Sequence, residues 1–265
     1  MRRAAALLLL TVGCQAPGKD SMTAARELRT ICDESWEATL RENPTYATYL
    51  GDFRYNDRLA DISEAGRARR RALYEGFLAR VKALDLASLD ENDRVTADIL
   101  RLQLEQGLEE DRHKFWQWDV DQMGGPQADF PQLLNFHPLT DLKGLEARFR
   151  AFTTWMDQYL DNLRDGVREG RVAMRVAVER VIGQLKGLLG TPEEKSPFAA
   201  KPELLPAIRE SVYPAYRRML AYLEGEYLAK SRDRDVGLWA LPGGREAYRF
   251  RIRLHTTTDL TALQY

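Results

Sequence analysis

Residues 141–167 read DLKGLEARFRAFTTWMDQYLDNLRDGV. Leu142, Leu145, Phe149, Phe152, Met156, Tyr159, Leu163 and Val167 recur there at spacings of 3, 4, 3, 4, 3, 4 and 4. Side chains three and four apart share one side of an α-helix, so this is a continuous core stripe. Its aromatics are read as packing. The rest of the chain is placed by working outward from it.

Downstream, Gly166 and Gly170 mark a turn into a further helix with Val178, Ile182, Leu185 and Leu189 inward, ended by Gly190. The loop TPEEKSPFAAKP leads to a helix from about Glu203 to Lys230, with Leu205, Ile208, Val212, Tyr216, Met219, Leu223 and Tyr227 on its face. Pro214 is expected to kink it. Upstream, three helices are expected over about 21–43, 63–84 and 90–116, the second capped by Ser63 and the third by Asp90. The third carries Val95, Ile99 and Leu102 beside Leu100, Leu104 and Leu108, a wide face that predicts burial between neighbours. The basic run Arg67 to Arg71 reads as a solvated face of the second helix.

Two stretches break the helical period. NPTYATYLGDFRYNDRLADIS, residues 43–63, reads as a packed connector carrying Tyr46, Tyr49, Phe53 and Tyr55. Residues 120–140 hold Gly124, Gly125, Pro126, Pro131 and Pro138, an irregular segment of the kind often functional or lid-like. The fold class is therefore all-α, a multi-helix bundle-like domain. Its last segment, GLWALPGGREAYRFRIRLHTTTDLTALQY from Gly237, is expected to be short and extended or a hairpin. There Tyr248, Arg249, Arg251, Arg253 and His255 alternate with Phe250, Ile252 and Leu254, the period of a strand.

The N-terminus has a different character. Arg2-Arg3, an apolar run from Ala4 to Val12, and Gly13-Cys14 form a lipoprotein-type export signal, with Cys14 the lipidated residue. Residues 1–13 are thus a signal peptide, 14–20 a tether and 21–265 the helical domain. Nine apolar residues cannot span a hydrocarbon core of ~30 Å, so the lipid is the expected membrane contact. Cleavage removes two of 39 basic residues against 40 acidic ones, which gives no basis for nucleic-acid binding. Only Cys32 remains besides Cys14, so stability has to come from apolar burial.

Catalytic constellations are sparse. The histidines are His113, His137 and His255, and no His-Glu-x-x-His pair occurs. Glu110-x-x-His113 has di-iron spacing but occurs once, where a carboxylate-bridged site needs it twice. No Gly-x-Ser-x-Gly elbow, phosphate loop or dinucleotide fingerprint is present. No metal ligands are assigned. The tail offers Tyr248, Arg251, His255 and Thr257 as candidate substrate-lining residues, because an array of Tyr, Arg and His can hold a carboxylate or steady an oxyanion.

The order of motifs resembles one bacterial family. Asn43-Pro44, Ala47-Thr48 and Leu50-Gly51 come first, followed by Gly124-Gly125-Pro126-Gln127 and Asp129-Phe130-Pro131. Ser196-Pro197-Phe198, Val212-Tyr213-Pro214-Ala215-Tyr216, Gly237-Leu238-Trp239, Leu241-Pro242-Gly243-Gly244 and His255-Thr256-Thr257-Thr258-Asp259 follow. The chain is similar over about 25–261 to the N-terminal half of "domain of unknown function 885". That resemblance implies a mainly helical, exported, zinc-metallopeptidase-like protein acting on peptides. It places the zinc-binding helix beyond the His-Thr-Thr-Thr segment, so no cofactor is expected in this chain and zinc is expected of full-length members. The function expected is the N-terminal helical portion of such a lipoprotein in the cell envelope, truncated and inactive alone. The alternative is a cell-surface binding or structural lipoprotein without chemistry. Truncation also predicts open apolar faces ending at Leu185, Leu223 and Tyr227, and a loose chain from about residue 203.

Overall fold

The computed structural model describes residues 19–258, 260, 261 and 264. Cys14 and the signal segment lie outside the described residues. Among the described residues the architecture is all-α, with one isolated parallel bridge between Met174 and Arg232. The helices are α1 (Lys19–Glu42), α2 (Pro44–Tyr49), α3 (Glu64–Lys82), α4 (Glu91–His113) and α5 (Pro126–Gln132). They continue as α6 (Leu142–Arg168), α7 (Arg175–Gly190), α8 (Leu205–Ala207), α9 (Tyr213–Tyr222) and α10 (Gly244–Thr256). No described helix is long and apolar enough to cross a membrane.

The 141–167 stripe is the centre of the core. Leu145, Phe149, Phe152, Met156, Tyr159 and Leu163 are buried, and Asp141 caps the helix by accepting from the Gly144 N–H at 3.0 Å. α7 brings Val178, Val181, Ile182 and Leu185 to it, and the α8–α9 region brings Ile208, Val212, Tyr216, Met219 and Leu223. The helix expected over 203–230 is a chain of segments, with π-helical turns at Ile208–Val212 and Leu223–Tyr227 flanking α9. Pro214 lies in the first turn of α9, directly after the first π turn. Proline has no N–H for the previous turn, and a widened turn accommodates that loss. The faces ending at Leu185, Leu223 and Tyr227 are not open: all three are fully buried in this cluster. Eleven residues between 204 and 227 belong to the core, which argues against a loose chain from 203.

A second layer, α1, α3 and α4, holds small clusters around Leu28, Leu89 and Ala97 and around Ile31, Val81 and Leu104. Ser63 and Asp90 cap α3 and α4 as their sequences predict, accepting from Gly66 and Asp93. The wide face of α4 is not buried between neighbours. Val95, Ile99 and Leu102 are 53%, 51% and 51% exposed, because the layer ends at this helix.

The connector of residues 43–63 also packs differently from its aromatic reading. Tyr46, Tyr49 and Phe53 are exposed, whereas Thr48 and Asn56 are buried. Thr48 joins Asn56 to Arg148 of α6, whose side chain is fully buried. Arg148 donates to Arg58 O at 3.0 Å, Tyr55 O at 2.9 Å and the Thr48 hydroxyl at 3.0 Å. The polar groups are inside because they fold the connector around one cation.

The C-terminal segment corrects the expectation of an extended strand or hairpin. Residues 244–256 are helical, with Leu241, Gly244, Ala247 and Phe250 buried at intervals of three. The inward positions of the first turns are glycine and alanine, so only alternation between Tyr248 and Leu254 was visible. Gly244 is required there, since a Cβ would lie 1.8 Å from Leu238 O. Residues 120–140 likewise contain α5, with Gly125 at φ +85° before Pro126 and with Phe130 and Leu133 buried.

Candidate functional site

Where the two layers meet, a cleft of about 480 Å3 opens between the start of α3, residues 116–119, α5 and α6. One wall is aromatic. Phe130 stacks on Phe152 (4.0 Å, 4° between planes), Phe152 on Trp155 (5.8 Å, 10°) and Trp155 on Tyr159 (5.6 Å, 12°). Phe152, Trp155 and Tyr159 stand three and four residues apart, so α6 sets the ladder with the same stripe that builds the core.

Four charged side chains line the cleft beside this wall: Arg67, Arg70, Asp119 and Asp129. Arg67 and Arg70, one turn apart on α3, line the cleft together. Arg67 lies over the Trp116 ring at 4.6 Å and donates from Nη1 to Ile62 O (2.6 Å) and Asn162 Oδ1 (2.5 Å). Arg70 Nη1 donates to Asp61 O at 2.7 Å. The loop that presents these carbonyls is fixed by Gln158, whose Oε1 accepts from Ile62 N–H at 3.0 Å and whose Nε2 donates to Asp61 Oδ1 at 3.1 Å. Among the described residues neither Arg67 nor Arg70 has a carboxylate within ion-pair distance. Burial lowers the Arg67 pKa from its ordinary value, with Asp111 and Asp165 opposing from farther away.

Asp119 and Asp129 supply the acids of the cleft. Asp129 Oδ2 accepts from the Gly125 N–H at 2.9 Å. Asp119 keeps solvent contact but is recessed among protein groups. Its desolvation raises the carboxyl above the usual range, Asp129 and Asp121 raise it further, and Arg251 opposes. Tyr159 donates its hydroxyl to the Asp119 backbone carbonyl, and Gln127 Nε2 donates to Asp121 O and Gly124 O at 2.8 Å each. The segment from 119 to 129 that carries both acids is thus held to the core.

An adjoining recess shares Arg67, Arg70, Trp116 and Asp119 and adds Arg71, Glu110, Asp111, Phe115 and Arg251. Of the tail residues expected to line a site, Arg251 reaches it. Its guanidinium lies 3.9 Å over Phe115 and 3.6 Å from Glu110 Oε1. Tyr248 and His255 share its helical face but stand exposed outside the cleft, and Thr257 caps the helix C-terminus at φ +54°. Arg253 pairs with Glu109 at 2.6 Å. Because the segment is helical, Arg249 and Arg253 turn away from the face that Tyr248, Arg251 and His255 share.

The zinc implied by the family resemblance has no fitting set here. Among the described residues no group of three or more His, Cys, Asp or Glu is arranged to hold a metal. His113 packs between Phe115 and Phe250, and His137 Nε2 lies 3.0 Å from Asp141 O. His255 stands apart on α10.

Sequence reasoning missed Arg67, Arg70, Trp116 and Asp119. The basic run 67–71 divides by helical position: Arg69 pairs with Glu42 and Arg71 with Asp111, as a solvated face does. Arg67 and Arg70 turn inward at a spacing of three. That spacing, next to the Ser63 cap, was the available signal.

A family model for "Bacterial protein of unknown function (DUF885)" matches residues 44–265. The chain belongs to this DUF885 family. Its fold is also similar to a solved structure described as "the putative lipoprotein from Colwellia psychrerythraea". The TM-score is 0.73 at 18% identity, covering 92% of this chain and 47% of that one. The chain therefore spans about half the length of that structure. No curated protein gives a match.

Proposed function

We propose that these residues form the helical, substrate-side portion of an exported, peptidase-like lipoprotein, held to a membrane by a lipid on Cys14. The observation that carries the reading is the cleft, which combines an aromatic wall with arginines and aspartates that form no ion pair with one another, groups suited to an apolar side chain and the charged ends of a peptide. The Arg2-Arg3, apolar, Gly13-Cys14 order supports export and lipidation. The family resemblance supports peptide as the substrate. On this reading the cleft positions a peptide. The zinc expected of full-length members would be held by residues other than those described, and the part assigned to the cleft is binding.

Purified chain incubated with a peptide mixture, with and without added zinc, is expected to release no product. Zinc-dependent turnover by this chain would overturn the division of labour. Cys14→Ala is expected to leave a soluble or unprocessed precursor. A processed variant that still fractionates with membranes would overturn the anchor.

The second reading, a surface binding lipoprotein without chemistry, is favoured by the same cleft, since its lining comes from the described residues. A His-Glu-x-x-His codon run in the downstream DNA separates the two: its presence supports the peptidase-like reading and its absence the binding protein.

A further inference from the structure

The cleft holds opposite charges apart. Arg67 and Arg70 donate to backbone carbonyls and an asparagine, all neutral acceptors, so their positive charge is fixed but not neutralised. Arginine does not shed its proton in a protein, and the half-buried Arg67 bears the cost of its lost hydration. In the same cleft Asp119 and Asp129 repel one another, and Arg251 lies too far from either to form an ion pair among the described residues. No ion pair joins the arginines to the aspartates. The aromatic wall of Phe130, Phe152, Trp155 and Tyr159 runs through the same cleft.

A ligand of one sign satisfies only half of this arrangement. An anion bound at the arginines adds negative charge near Asp119 and Asp129, and a cation bound at the aspartates leaves the arginines as they were. A ligand with both charges answers both pairs, and an apolar side chain answers the wall. We propose that the cleft binds a zwitterion, the α-carboxylate of an apolar or aromatic residue at Arg67 and Arg70 and a free α-ammonium at Asp119 and Asp129. Free amino acids and dipeptides share this chemistry, and at about 480 Å3 the cleft lies within the ordinary range for small-ligand sites. The inference deepens the peptide reading and rests on it for the choice of ligand, but it requires no hydrolysis. It adds a demand that peptide binding alone does not make: both termini of the ligand must be free.

The test is calorimetric titration of the purified chain with four probes: phenylalanine, alanyl-phenylalanine, its N-acetyl form and its C-terminal amide. Saturable binding is expected for at least one of the two zwitterions. If phenylalanine binds more tightly the ligand is an amino acid, and if the dipeptide does it is a short peptide. Each blocked form is expected to bind about tenfold more weakly than the free dipeptide, the effect of one charge-assisted contact. Arg70→Gln should erase the preference for acid over amide while keeping the preference for free amine. Asp119→Asn should do the reverse. Arg67 also braces Asn162, so Arg70 carries the arginine test, and an unchanged melting temperature verifies each fold. Binding of neither zwitterion, equal binding of the acetylated dipeptide, or an Asp119→Asn variant with the parent's amine preference would each overturn the proposal. Absence of turnover leaves these ratios readable, whereas turnover without charge preference would spare the peptide reading and remove this inference.

Discussion

Arg148 shows how a charge can organise a fold without an opposite charge beside it. Burial pulls its pKa down to about 10, with Asp57 and Asp141 opposing from a distance. Three neutral acceptors on the connector make the burial tolerable. Replacing it strands those acceptors, each worth ~1–3 kcal/mol when left unpaired in the interior. Arg148→Met is expected to lower stability by about 2–3 kcal/mol, read from the urea midpoint at unchanged slope. A loss below about 0.5 kcal/mol, the size of an ordinary surface change, would contradict this role. His137 makes a pH prediction. Its ring is buried, one nitrogen lies beside Asp141 O and Nδ1 has no partner, and burial lowers its pKa. The unfolded chain then takes up the proton first, so stability falls as pH drops below the ordinary histidine value of about 6.5. His113, lowered for the same reason, adds to the trend. Thermal melts from pH 7.5 to 5 are expected to decline, and His137→Gln to flatten the curve. A parent curve already flat over that range would count against the assignment.

Among the helices, Gly166 is the position where sequence preference and packing disagree most clearly. Alanine is favoured over glycine within a helix by ~1 kcal/mol. Here, however, a Cβ would lie 2.0 Å from Gln117 O and 2.7 Å from Arg171 O. Gly166→Ala is expected to destabilise by about 1–3 kcal/mol through overpacking, measured by denaturation, whereas net stabilisation would show that the contact relaxes. On α4 the contrast is between faces. Leu104→Ala is expected to cost about 2–5 kcal/mol, and Val95→Ser to stay within ~0.5 kcal/mol. Comparable losses at both would restore the buried face expected from the sequence. These cases show what was legible. The α6 stripe, the Ser63 and Asp90 caps and the site of Pro214 depend on near neighbours in the chain, so spacing and residue type revealed them. The open side of α4 depends on which helix comes next in space, which periodicity does not encode. α10 was hidden because Gly244 and Ala247 face the core without large side chains. The cleft was hidden for a third reason: it unites residues 67, 119 and 159, and only Arg251 of the candidate site residues reaches its neighbourhood.

The whole molecule is a large core on α6, α7 and α9 with a thinner helical layer against it. The cleft occupies their junction. The α6 stripe serves both, since Phe152 and Tyr159 are core residues and cleft wall at once. This predicts a rigid wall facing a more yielding margin, because α1, α3 and α4 share only small apolar clusters. Hydrogen exchange by mass spectrometry, with and without alanyl-phenylalanine, tests the account most directly. The slowest exchange is expected in 142–167 and 205–227, and the dipeptide should slow exchange in 61–70 and 116–130 while leaving 142–167 unchanged. Rapid exchange through 205–227, or protection by the dipeptide confined to segments outside the cleft, would contradict it.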